Sequence, residues 1–128
     1  MNNAEALKWY YKAAEQGVAE AQFILGLDYK RGEGGVKKDF AKGVEWYRKA
    51  AEQGHMYALY NLAVSYEYGE GVPKDKETAI KLYQKAAEQG CTDAEKDVKR
   101  LEGGGLGSAV AASAALGGAA LLWKILRG

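Results

Sequence analysis

The pair whose chemistry fits a nucleophile and its base is His55 with Cys91, the only histidine and the only cysteine among 128 residues. Such a dyad needs its atoms within about 3 Å. The two residues instead occupy equivalent points of a repeated segment, with Val18 as the third member. Equivalent points of stacked helices stand about 10 Å apart, so the repeat itself holds the dyad open. His55 reads as a helix-start residue near the surface, and Cys91 as a small residue at a helix start, reactive only if exposed. One histidine and one cysteine also cannot build a Cys/His zinc cage or an internal disulfide. Paired carboxylates occur, but no evident apolar pocket splits their pKa values. GEGG at 32–35 and GEGV at 69–72 lack the Lys-Ser/Thr ending and the preceding strand of a phosphate loop. No catalytic residue, cofactor or metal is expected; what remains is recognition.

Recognition needs elements to present it, and these repeat. The string AAEQG occurs at 13–17, 50–54 and 86–90, at offsets of 37 and 36. Trp9-Tyr10, Trp46-Tyr47 and Leu82-Tyr83 precede it. The loops RGEGGVKKD (31–39) and YGEGVPKD (68–75) also match, with Gly35 as the extra residue. Each unit predicts two helices. Ala6, Leu7, Tyr10, Ala13 and Ala14 form a one-sided stripe at helical period, repeated by Gly43, Val44, Tyr47, Ala50, Ala51 and by Ala79, Ile80, Tyr83, Ala86, Ala87. The second helices bury Ala21, Leu25, Tyr29 and Ala58, Leu62, Tyr66. Gly of AAEQG ends the first helix. Asp39 and Asp75 are placed to N-cap the next first helix, and Pro73 sits harmlessly in a loop. The paired alanines let helices approach closely, and Trp9 and Trp46 are expected to fill the gaps between them.

The period, the pattern A-x2-W-Y-x-K-A-A-E-Q-G and the following A-x2-x-L-x2-x-Y-x2-G-x-G-V resemble the Sel-one-like repeat (SLR) family, related to tetratricopeptide repeats. The resemblance covers about residues 4–102, through Trp46, Tyr47, Ala50, Ala51, Gly54, Ala58, Leu62, Tyr66, Gly69, Gly71 and Val72. It implies an adaptor or scaffold with no catalytic residues. The expected architecture is all-α: a right-handed α-solenoid of about three helix-turn-helix repeats, plus a C-terminal Gly/Ala-rich helical tail. The units run over about 1–35, 36–71 and 72–102, then a Gly-rich linker over 103–108 and an apolar, basic-ended segment over 109–128.

The third unit departs from the pattern. Its second helix reads TDAEKDVKRLE (92–102), with only Ala94, Val98 and Leu101 apolar. It reads as a capping helix with a polar outer face, or equally as a lone polar helix. The chain begins directly with a repeat helix and shows no signal peptide, so a cytoplasmic location is the default.

With the core stripe removed, a polar stripe remains on the first helices. Its members are Glu5, Lys8 and Lys12; Lys42, Glu45 and Lys49; Thr78, Lys81 and Lys85. Tyr11, Arg48 and Gln84 share one aligned, variable position. Such positions line the concave face of helical arrays, so a protein or peptide partner is expected there, against the alternative of a merely solvated face. The formal net charge of +1 argues against sequence-independent nucleic-acid binding, which needs a basic face.

Charge also divides the chain. Residues 1–102 hold sixteen basic and seventeen acidic residues, while 103–123 hold none, and only Lys124 and Arg127 follow. As a helix, 103–123 would span roughly 31 Å, one bilayer core, yet glycines and serines make insertion marginal. Small residues four apart suit close helix pairing and self-association. Three readings stay open: a membrane anchor through Leu116, Leu121, Leu122, Trp123, Ile125 and Leu126; a short amphipathic helix lying on a membrane or docking on the last repeat or another copy; and a flexible or appended peptide.

Overall fold

The computed structural model describes residues 3–103. They form six helices: α1 (Asn3–Glu15), α2 (Ala19–Arg31), α3 (Phe40–Glu52), α4 (Met56–Tyr68), α5 (Lys76–Glu88) and α6 (Thr92–Glu102). Each helix packs on its neighbours in sequence, so the chain stacks in one dimension as an α-solenoid.

The AAEQG pentapeptide is a helix terminator read in backbone hydrogen bonds. After α3, the Gly54 N–H donates to the Ala51 carbonyl at 2.8 Å and the His55 N–H to the Ala50 carbonyl at 3.1 Å. Gly17 and Val18 repeat this on Ala14 and Ala13, both at 3.0 Å, and Gly90 and Cys91 on Ala87 and Ala86 at 2.9 and 3.2 Å. This double closure is a Schellman motif. It needs a left-handed residue, and Gly17, Gly54 and Gly90 stand at φ 93°, 81° and 103°. The residue after each glycine is already the N-cap of the next helix, so the turn has no spare residue. The glutamine has its own task across units. Gln53 Nε2 donates to Gln22 Oε1 at 2.9 Å, and Gln89 Nε2 to the Gly54 carbonyl at 2.6 Å.

The longer loops are fixed at their far ends. The Asp39 side chain accepts the Lys42 N–H at 3.1 Å and the Asp75 side chain accepts the Thr78 N–H at 3.1 Å, as the spacing predicts. Their own N–H groups donate back to Tyr29 and Tyr66 carbonyls at 2.7 and 2.8 Å. Asp39→Ala is expected to lower the unfolding free energy by about 1 kcal/mol, measured by urea denaturation at neutral pH.

The core fills the space between helices rather than a single centre. Leu25, Tyr47 and Tyr83 are among its fully buried large side chains. At the α2–α3 crossing Gly26 faces Gly43, and the Tyr47 ring lies over Gly26. At the equivalent α4–α5 crossing stand Ala63 and Ala79, both fully buried.

The sequence expectation for Trp9 is corrected here: its side chain is 62% exposed. The same register position in later units faces backward. Trp46 packs on the Ala14, Ala21 and Leu25 group of the first unit, and Leu82 on the Val44, Tyr47 and Leu62 group of the second. Among the described residues no unit precedes α1, so Trp9 has nothing to pack on.

The helix α6 is docked rather than lone. Ala94 and Val98 are buried. In the register where Leu27 and Val64 pack, α6 carries Arg100, which donates from Nη1 to Glu67 Oε2 at 2.7 Å and from Nη2 to Glu67 Oε1 at 2.8 Å. The Tyr83 hydroxyl donates to the same carboxylate at 2.8 Å, and the Tyr60 hydroxyl donates to Asp97 at 2.9 Å. An ion pair thus replaces an apolar stacking residue at this register of α6.

Candidate protein-binding face

The first helices α1, α3 and α5 bury one side and present the other. On α3, Gly43, Val44, Tyr47 and Ala50 are buried, while Lys42, Glu45, Arg48 and Lys49 are exposed. On α1, Glu5, Lys8 and Lys12 are exposed, and on α5, Lys81 and Lys85. Trp9 joins them: an open hollow on α1 is lined by Glu5, Lys8, Trp9 and Lys12.

Tyr11, Arg48 and Gln84 do something other than stand free. The Tyr11 hydroxyl pairs with the Tyr29 hydroxyl. Arg48 Nη2 donates to the Tyr66 hydroxyl at 2.9 Å, and Gln84 Nε2 donates to Glu102 Oε1 at 3.2 Å. The partner lies 18 residues onward each time. The aligned position is a clasp between the two helices of a unit, rebuilt with different residues. Sequence reasoning missed Tyr29, Tyr66 and Glu102 as members of this face; the common spacing of 18 was the available signal.

The seam between α1 and α3 has an aromatic floor. Tyr11 meets Tyr29 edge-on at 6.4 Å between centroids and Trp46 edge-on at 5.8 Å. Above it, Lys42 Nζ stands 5.5 Å from the Tyr29 ring centroid and Lys49 Nζ stands 4.7 Å from the Trp46 ring centroid. A cation over a ring is attracted by its quadrupole, so these ammonium groups are held in place. The arrangement sets two ammonium groups above a flat aromatic surface.

His55 and Cys91 take structural posts. His55 Nδ1 accepts the Ala58 N–H at 3.2 Å, capping α4. The ring proton is therefore on Nε2, which donates to Glu20 Oε2 at 2.7 Å, and the ring stacks on Phe23 at 4.9 Å. Both nitrogens are engaged away from Cys91, which is buried. Among the described residues no group of three or more His, Cys, Asp or Glu could hold a metal ion, and no helix is long and apolar enough to cross a membrane. Leu116, Leu121, Leu122, Trp123, Ile125 and Leu126 lie outside the described residues, and with them the membrane, docking and self-association expectations for the tail.

The model of the Sel1 repeat matches residues 2–18, 19–55 and 57–91. No curated protein matches the sequence. Among solved structures, a Sel1 repeat protein from Oxalobacter formigenes is 41% identical at a TM-score of 0.77, over 84% of this chain and 43% of that one. A protective antigen present in uropathogenic Escherichia coli strains, displaying an SLR fold, is 43% identical at a TM-score of 0.73, over 75% of this chain and 20% of that one. Helicobacter pylori cysteine rich protein B is 30% identical at a TM-score of 0.70, over 73% of this chain and 70% of that one. The chain thus spans a fifth of the antigen and under half of the Oxalobacter protein. Proteins built from these repeats generally mediate protein–protein interaction and are typically non-catalytic. With the matched repeats covering most of the stack and the helix order shared with these structures, the chain belongs to the Sel1 repeat family.

Proposed function

We propose that the chain is a non-enzymatic adaptor that binds a peptide or protein partner on the concave face lined by α1, α3 and α5. One observation carries this reading: stacking consumes one side of each first helix, while the charged residues at matching registers of all three stand exposed together. The surface is continuous between α1 and α3 through the Tyr11–Trp46 contact, and it is held rigid from beneath by the repeated clasp to the second helices.

Selection of random peptides displayed on phage against the intact chain tests this. Selected peptides are expected to lose at least about tenfold in affinity, about 1.4 kcal/mol, for a variant carrying Lys8→Glu, Glu45→Lys, Arg48→Glu and Lys81→Glu. Affinity for Lys96→Glu, a change on the outer side of α6, is expected to stay as it was. Selected peptides that bind the fourfold variant unchanged would place the binding surface elsewhere.

A further inference from the structure

Charge is segregated over the stack. The exposed charged residues of α1, α3 and α5 are eight cations and six carboxylates, whereas the rest of residues 1–102 carries eight cations and eleven carboxylates. The first helices are thus net positive by two charges and the remainder net negative by three. On α3, Lys42 and Lys49 form no ion pair among the described residues; each is held over a ring instead. Glu45 lies on the same helix face, but neither lysine is ion-paired to it among the described residues, so each can take a foreign carboxylate.

The geometry also sets a spacing. Lys42 and Lys49 are two helical turns apart on α3, about 10 Å at 1.5 Å per residue. A peptide in the polyproline II conformation covers about that distance in three residues at about 3.1 Å each, and its three-residue turn puts both side chains on one side. Between the two cations lies the half-buried edge of Trp46 against Tyr11, which suits an apolar side chain rather than a charge.

We propose that the partner of this face is an acidic peptide segment. It lies along the α1–α3 seam, with carboxylates three residues apart on Lys42 and Lys49 and an apolar residue between them on Trp46 and Tyr11. The proposal rests on the reading of this face as a binding surface and names the chemistry it takes. A nucleic-acid strand fits less well, because Glu45 sits on the same helix face as Lys42 and Lys49 and would oppose a continuous phosphate track.

The probe is a fluorescein-labelled peptide Ser-Glu-Leu-Phe-Glu-Ser, followed by anisotropy with the intact chain. Its control is the same peptide with lysine for both glutamates. The acidic probe is expected to bind at least about tenfold tighter than the control and to weaken several-fold between about 50 and 300 mM salt, as the Debye length shrinks. Lys42→Gln with Lys49→Gln is expected to weaken it about tenfold, and Lys81→Gln with Lys85→Gln less than about threefold. All four lysines are exposed, and circular dichroism checks that the helices persist. Equal binding of the two probes, or binding insensitive to Lys42 and Lys49, overturns the proposal. So does a poly-uridine strand that competes equally and shows the same sensitivity to Lys42 and Lys49. If the acidic probe fails while phage-selected peptides still depend on the face, only the acidic inference falls. If neither depends on it, the reading of the face falls as well.

Discussion

Gly26→Ala is expected to lower the unfolding free energy by about 2 kcal/mol, although alanine is the better helix former by about 1 kcal/mol. The reason is the α2–α3 crossing. A Cβ at Gly26 would lie 2.5 Å from Cδ1 and Cε1 of Tyr47 and 3.1 Å from the Gly43 carbonyl oxygen. Tyr47 is 1% exposed, and Phe23 packs against its ring at 6.0 Å between centroids. The ring has no free volume to enter, and the carbonyl belongs to a packed helix. Overpacking of this kind generally costs about 1–3 kcal/mol, occasionally more, so the steric term outweighs the gain in propensity. The register-equivalent pair Ala63 and Ala79 carries methyl groups at a crossing that has no glycine, and both are fully buried. In the variant the first unit is pushed outward, so its coupling to the second weakens and unfolding loses cooperativity. Urea denaturation at 25 °C would show a lower midpoint and a shallower transition. A second change, Tyr47→Leu, frees ring volume, so part of the Gly26→Ala penalty should disappear in the double variant. A loss below about 0.5 kcal/mol in Gly26→Ala would mean that the crossing is looser than its distances indicate.

Repeat length, helix order and helix ends are legible in the residues because their causes are local. AAEQG encodes a Schellman closure within six residues, and Asp39 and Asp75 lie three residues from the N–H groups they cap. What stayed hidden depends on which residues meet across helices. Trp9 and Trp46 share a register, yet among the described residues only Trp46 has a unit behind it, so similar local sequence leaves one exposed and the other half-buried. Tyr11, Arg48 and Gln84 look like free variable positions because they themselves differ in every unit, while the partners that hold them, Tyr29, Tyr66 and Glu102, lie on the other helix of the unit. The exposed lysines and glutamates of the face were readable from periodicity alone. The aromatic floor beneath them was not, since it takes one residue from each of α1, α2 and α3. Arg100 reads in sequence as lost apolarity, because its partner Glu67 lies on another helix.

The Glu67–Arg100 pair supports a prediction that depends on pH. Glu67→Gln is expected to cost about 2 kcal/mol at pH 7. The Glu67 side chain is 9% exposed and that of Arg100 48%, so the value falls between the 3–5 kcal/mol typical of breaking a buried pair and the ~0–1 kcal/mol of a surface pair. Glutamine can still accept the Tyr83 hydroxyl bond, so the change isolates what the charge does for Arg100. The Arg100 guanidinium, which donates two bonds to it, holds the Glu67 carboxyl below its ordinary value of 4.5; the Tyr83 hydroxyl adds to this, and burial opposes it. A carboxylate with a depressed folded pKa stabilises the fold fully above its unfolded pKa and loses that contribution as pH falls through the folded value. The gap between wild type and Glu67→Gln should therefore be constant from neutrality down to about pH 5 and close progressively below about 4.5. Asp28 and Glu102, whose carboxyls burial pushes upward, titrate in the opposite sense. They are present in both proteins and cancel in the difference. The loss should concentrate on α6, where hydrogen exchange at Val98 and Leu101 reads local opening. Arg100→Leu restores the apolar register type of Leu27 and Val64 but leaves Glu67 buried without its cation, so alone it should cost at least as much as Glu67→Gln. Combining Arg100→Leu with Glu67→Gln should cost clearly less than the sum of the two, since the buried charge is gone. If the single changes simply add, or if the gap to wild type does not narrow at all as pH falls below about 4.5, α6 is held by its apolar residues and the ion pair contributes nothing to its docking.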